Sequence, residues 1–270
     1  MMTKPELYAM NSADWEYEYS AMMRNQKPGE TYPSLTPFYL VDHPEGTVLI
    51  DTGTSYELLE DPADYGPYGA GYVEEFAADE IEMSEDGKAV NRLAEIGYEP
   101  DDIDIVVMTH LHLDHTGDVR EFPDSEFVVQ QDELEYAWWP ADPIQRKLYV
   151  EGDFGVFQSP EYDVTAISGE YDVFGDGVVE CIPTPGHSPG HQAVKVELEE
   201  AGTVILAADL AFTQRAYEDE LQPAFAWDTE HAIRSNRMIR NLERTEDATV
   251  LLAHDREHFE EFPDPPESLV

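Results

Sequence analysis

The chain has 270 residues, with 59 Asp and Glu against 15 Lys and Arg, for a formal net charge of −44. A surface this negative repels phosphate backbones and anionic headgroups, which excludes nucleic acid and membrane surfaces as partners. Hydrophobic residues at 41% and aromatics at 11% are too abundant for a disordered chain, and the length suits a single domain over residues 1–270.

Residues 1–33 mix Tyr, Met, Pro and acids without clear periodicity. Residues 36–41 and 47–50 predict two strands joined by a turn at Pro44-Glu45-Gly46, the start of a core running to about residue 260. Residues 54–87, rich in Gly, Pro, Tyr and acids, form a first insertion, read as a long functional loop or a set of short helices. Val90, Leu93, Ala94 and Ile96, followed by Gly97 and Pro100, predict a short amphipathic helix over 88–96. Residues 103–108 and 126–130 are strand-like, with a helix over 132–138 after the second. A second insertion, 139–162, precedes four strand-like runs at 163–167, 178–182, 193–198 and 203–208. Asp228 or Thr229 can cap a helix whose apolar stripe includes Ile233, Ile239 and Leu242, residues 249–253 close the pattern as a strand, and 260–270 read as a polar tail. Strand-dense halves, each ending in strand–helix alternation, predict an α/β fold of two sheets sandwiched between helices.

Metal-ligating residue types stand at the C-terminal ends of these strand-like runs: Asp51, His110, Asp209 and His254 each follow one, and His187 follows Pro183-Thr184-Pro185-Gly186. Sheet edges can bring such groups together rigidly. The densest element is His110-Leu111-His112-Leu113-Asp114-His115. In extended backbone His110, His112 and Asp114 project to one side and His115 to the other, so a turn here could serve two adjacent ions. Neutral imidazoles and a carboxylate suit zinc, and Asp209 could bridge two ions through its two oxygens.

These residues resemble the metallo-β-lactamase superfamily: the His110–His115 motif, Thr184-Pro185-Gly186-His187-Ser188-Pro189-Gly190-His191, Asp209 and His254. Softer similarity, in residues 97–102, 130–136, 218–220 and 253–255, reaches to its N-acyl-homoserine lactone lactonase family over residues 35–260. The resemblance implies an αββα sandwich of two mixed sheets and two Zn²⁺ ions, His110, His112 and His187 on one, Asp114, His115 and His254 on the other. Asp209 and a hydroxide would bridge them, the hydroxide opening a small-molecule lactone while Asp114 shuttles a proton to the departing oxygen. Asp51 would orient a ligand imidazole from outside; His191, read from the sequence by itself, is either a similar support or a packed histidine bonded to backbone. The family places a tyrosine three residues after the bridging aspartate, where this chain has Phe212; Tyr217 or another tyrosine would have to supply the missing hydroxyl.

A thioesterase or another ester or phosphodiester hydrolase keeps the same metals, with substrate choice resting on the two insertions. A redox di-iron centre fits less well, since such relatives place Glu where His112 stands, and a non-catalytic binding protein would be expected to have lost ligands. Cys181 reads as a small buried hydrophobe, and Arg234, Arg237, Arg240 and Arg244 as a solvent stripe paired with nearby acids. His43, His231 and His258 lack ligand spacing and read as surface residues, whereas Trp138, Trp139 and the Tyr/Gly stretch 65–72 are candidates to line an acyl pocket. The absence of an apolar run in residues 1–5 and the single cysteine point to the cytoplasm. Only five of the 15 basic residues are Lys, and the acid surplus needs counterions to quiet its self-repulsion, as in a salt-adapted organism.

Overall fold

The computed structural model describes residues 4–66, 71, 73 and 80–270. Strands β1 (Glu6–Glu18), β2 (Thr31–His43), β3 (Gly46–Ile50), β4 (Ile81–Glu82), β5 (Ile105–Val107), β6 (Glu126–Gln130) and β7 (Asp163–Ile167) form one sheet in the order β4-β1-β2-β3-β5-β6-β7. Strands β8 (Tyr171–Asp172), β9 (Val179–Pro183), β10 (Gln192–Leu198), β11 (Gly202–Leu206) and β12 (Thr249–Leu251) form the second, ordered β12-β11-β10-β9-β8. Both are mixed: β3, β5, β6 and β7 run parallel beside the antiparallel β1–β2–β3 ladder, and β12 joins β11 in parallel.

Alternation along each strand builds the layers, because successive side chains point to opposite faces. Val48 and Ile50, Val107, and Val128 turn toward the second sheet and meet Val194, Val196, Val204 and Leu206. Their neighbours Leu49, Val106, Phe127 and Val129 turn the other way, onto Leu93 of helix Ala89–Glu95 and Ala137 of helix Gln131–Ala137. On the far side of the second sheet, Ile205 and Val250 pack against Ile239 of helix Thr229–Glu246. Sheets apolar on both faces need helices outside and each other inside, which gives the helix–sheet–sheet–helix sandwich. Asp228 caps the long helix, its side chain accepting from the His231 amide.

Three expectations change, and the second insertion gains its detail. Residues 6–18 are a 13-residue strand, hidden in sequence because an extra residue between Asn11 and Asp14 shifts its register against β2 and breaks the alternation. Pro37 sits at this irregularity, where β2 tolerates a missing amide. The polar tail ends in the body of the fold: Leu7 and Leu269 exchange two backbone hydrogen bonds of 2.8 and 2.9 Å, and Val270 accepts from the amides of Glu200 and Ala201. The second insertion contains short helices at Gln145–Leu148 and Glu151–Phe154. His43 is buried rather than exposed, because its ring stacks on Phe174 at 4.2 Å and its Nε2 lies 3.1 Å from Asp176. Cys181 lies between the sheets, where burial pushes its thiol up to about 12. Among the described residues, no helix is long and apolar enough to cross a membrane.

Candidate metal centre

The strands deliver the site at one edge of the sandwich. Asp51 follows β3, the His110–His115 loop follows β5, His187 lies between β9 and β10, Asp209 follows β11 and His254 follows β12. Two of the strand exits are bent: Asp51 and Ala208 hold φ of 59° and 46°, a left-handed conformation that costs a non-glycine residue about 1 kcal/mol. The loop Thr184–His191 is pinned by close approach. A side chain on Gly186 would come within 2.2 Å of Ala232 in helix Thr229–Glu246, and one on Gly190 within 2.3 Å of the Glu133 amide.

Seven buried side chains converge in two groups, His110, His112 and His187 in one, Asp114, His115, Asp209 and His254 in the other. Hydrogen bonds from outside set the ring tautomers. Gln145 donates through Nε2 to the carbonyls of His187 and Phe225, so its Oε1, 3.2 Å from His112 Nε2, accepts the proton there and leaves His112 Nδ1 bare. Thr109 donates its hydroxyl to Asp51 and so accepts from His110 Nδ1 at 3.1 Å. Asp51 accepts from His115 Nδ1 at 2.7 Å, and the Leu35 carbonyl from His254 Nδ1 at 2.8 Å. The outer nitrogens of His110, His112, His115 and His254 are thus committed to the scaffold, and the other nitrogen of each ring turns inward. His112 Nδ1 lies 3.1 Å from His110 Nε2, lone pair against lone pair, and 2.9 Å from His187 Nε2.

Asp209 stands between the groups. Its Oδ1 lies 3.2 Å from His115 Nε2 and 3.3 Å from His254 Nε2, while Oδ2 lies 3.2 Å from His187 Nε2. Asp114 Oδ2 is 3.5 Å from His254 Nε2. His191 does not join the inward-facing nitrogens: its Nε2 accepts from the Asp209 amide at 3.1 Å, and its Nδ1 meets the hydroxyl and carbonyl of Thr184. Burial pushes His110 and His187 well below the usual imidazole range, His112 to about 3 and His191 to about 4. Burial would lower His115 too, but the carboxylates of Asp51, Asp114 and Asp209 hold it well above. Burial raises Asp114; it would raise Asp209, yet the imidazoles of His254, His187 and His115 keep that carboxyl well below its ordinary value.

This donor set fits a pair of divalent cations. His115 Nε2, His254 Nε2 and Asp209 Oδ1 are fully buried and meet one another at 3.2–3.3 Å without an aligned hydrogen bond, an arrangement that a cation between them would satisfy. Neutral imidazoles and carboxylates are the ligands that divalent metals of this class take.

Three residues that the sequence did not single out complete the scaffold: Gln145, Thr109 and Glu133. The Glu133 carboxylate accepts from the amides of Leu111 and Gly190 and from the hydroxyls of Ser188 and Tyr149, tying the two ligand loops together at 2.6–3.0 Å. Burial raises this carboxyl. No spacing rule marks these residues, because Gln145, Glu133 and Thr109 each bond to partners brought in from other parts of the chain.

A cavity of about 370 Å³ opens over His112, Asp114, His187 and Asp209, walled in part by Trp15, Tyr17, Ile144, Leu148, Phe212 and Phe225. Phe212 is at the cavity, as the sequence suggested. Tyr217 is not: it is buried behind the second sheet and its hydroxyl donates to Glu243 at 2.9 Å. Neither tryptophan of the pair reaches the cavity. Trp138 packs on Phe154 and Trp139 is 82% exposed beside a separate open groove. Of the stretch 65–72, Tyr65 is buried in a neighbouring cluster, and 67–70 and 72 lie outside the described residues. Arg234 and Arg237 face Glu230 and Glu220 across the helix surface.

The model of the metallo-β-lactamase superfamily matches residues 31–254. An N-acyl homoserine lactonase, AttM, of Rhizobium radiobacter is 34% identical over 270 residues, covering 98% of this chain and 99% of that protein. An N-acyl homoserine lactonase of Bacillus thuringiensis is 30% identical over 256 residues, 95% of each chain. A solved N-acyl homoserine lactone hydrolase, with the product N-hexanoyl-L-homoserine bound at its catalytic metal centre, superposes with a TM-score of 0.83 at 28% identity, over 99% of this chain and 100% of that one. By sequence, fold and ligand constellation, the chain belongs to the metallo-β-lactamase superfamily and, within it, to the N-acyl homoserine lactonase family.

Proposed function

We propose that this chain hydrolyses the ring ester of N-acyl homoserine lactones, using two zinc ions held by His110, His112 and His187 and by Asp114, His115 and His254, with Asp209 shared. The observation that carries this reading is the Asp209 carboxylate, with one oxygen turned to each ligand group. Two bound cations supply a Lewis acid for a carbonyl oxygen and lower the pKa of water to near neutrality. Imidazole and carboxylate donors favour zinc among the available metals. Asp51, Gln145, Thr109 and the Leu35 carbonyl hold the ligand rings so that no reorganisation is needed, and His191 holds the backbone of Asp209.

In the reaction the oxygen of water joins the acyl carbon, the ring carbon–oxygen bond breaks, and the ring oxygen departs as an alcohol after gaining a proton. Asp114 Oδ2, at the cavity floor, is the group we assign to carry that proton. The apolar and aromatic walls suit an acyl chain. The relatives named N-acyl homoserine lactonases, and the product bound at the metal centre of a solved relative, support the same substrate. The acid surplus and the lone buried cysteine support a working place in a salt-rich cytoplasm.

The test is a proton-release assay of the zinc-loaded protein in molar salt, with N-hexanoyl homoserine lactone beside an acyl thioester. Lactone opening that stops with a chelator and returns with zinc is expected. Turnover of the thioester alone, or of neither compound, would overturn the substrate assignment.

A further inference from the structure

At the cavity, Phe212 presents a bare ring 4.5 Å from the His254 imidazole, where a hydroxyl could have met a substrate oxygen. A second ring flanks the same imidazole. Tyr17 lies 5.4 Å from His254 and 6.0 Å from Phe212, centroid to centroid, and its hydroxyl points at Asp114 Oδ2 from 3.4 Å. We infer that Tyr17, on β1, supplies the hydrogen-bond donor that Phe212 lacks, its hydroxyl meeting the lactone carbonyl oxygen as that oxygen gains charge. The inference rests on the lactone-opening reading and adds to it a specific residue from another part of the chain.

The placement has structural support. Tyr17 and Trp15 are alternate residues of β1 and stack at 4.3 Å with an 18° interplanar angle, which fixes the phenol ring against a buried neighbour. Register pairing of Tyr17 with Tyr32 on β2 anchors the backbone beneath it. A donor on a rigid strand needs little rearrangement when charge develops, the condition under which such bonds accelerate reactions most. Among the described residues, two other buried tyrosines near the ligand loops are engaged elsewhere, Tyr149 with Glu133 and Tyr217 with Glu243. The phenol keeps its proton throughout. It donates to Asp114 at rest and to the substrate oxygen in the transition state, so no covalent step passes through it.

The experiment compares wild type, Tyr17→Phe, Phe212→Tyr and the double variant with N-hexanoyl homoserine lactone, recording kcat, KM, zinc content and Tm for each. A bond made in the transition state lowers kcat more than it changes KM, and loss of one such donor costs ~10²-fold. Tyr17→Phe is expected to lose about that factor in kcat with zinc content and Tm unchanged, and the double variant to recover most of it. Phe212→Tyr alone is expected to gain less than about threefold, because the position is already served. A Tyr17→Phe variant as fast as wild type overturns the inference and leaves the lactonase reading standing, whereas a wild type inert toward lactones overturns the reading itself. Should Tyr17→Phe lose zinc or melt early, Phe212→Tyr alone decides: acceleration of tenfold or more contradicts the inference.

Discussion

The ligand residues carry their own signature at the scale of single side chains. His110, Asp209 and His254 each follow a short apolar run, so a strand end was a natural place for them, and the spacing within His110–His115 marks the loop as a chelating turn. The groups that hold them were not legible. Gln145 works by reaching carbonyls 42 and 80 residues away, and Glu133 is one acid among many in the sequence until folding buries it. Asp51 was legible because it too ends a strand, and the structure gives it three donors: the amide and hydroxyl of Thr109 and Nδ1 of His115. Asp51→Asn offers an amide group where only acceptors fit, turning the His115 ring loose. Groups that orient a ligand ring in this way contribute about 10–100-fold in metal affinity, and competition with a chromophoric chelator is expected to show a loss of that size. Unchanged affinity would mean the ring is positioned by packing alone.

At the scale of elements, the interior strands were readable and the outer one was not. Strands β3, β5, β6 and β11 are short β-branched runs buried on both faces, a pattern that needs no alternation to be seen. Strand β1 does alternate, Asp14, Glu16 outward and Trp15, Tyr17 inward, but the extra residue after Asn11 puts its two halves out of phase. That half of the strand brings an aromatic wall to the cavity, so missing the element meant missing Tyr17. The long helix meets the site through Gly186, where φ is 146° and a methyl group would strike Ala232 backbone. Gly186→Ala forces the loop bearing His187 away from the helix and is expected to destabilise the fold by more than about 1 kcal/mol, read as a lower Tm. A variant that melts with wild type would show that the loop is free to shift.

Charge dominates at the scale of the whole molecule. The architecture follows from apolar faces, as the sequence indicated, but those faces must hold together a chain with 59 acidic and 15 basic side chains. The screening length falls from about 10 Å in 0.1 M salt to about 3 Å in 1 M, so repulsion among surface carboxylates fades over that range. The Tm is expected to climb by at least about 5 °C between 0.1 and 2 M potassium chloride, and a flat response would remove the case for salt adaptation.

Every scale meets in the seven inward-facing side chains, which converge in two groups about Asp209. Elemental analysis of the purified, zinc-reconstituted chain measures directly what they hold. The geometry of the two ligand groups predicts two zinc ions per chain, falling below two when Asp209 is replaced by Ala. A chain that takes up one ion or none, with its fold intact, would contradict a shared dinuclear centre.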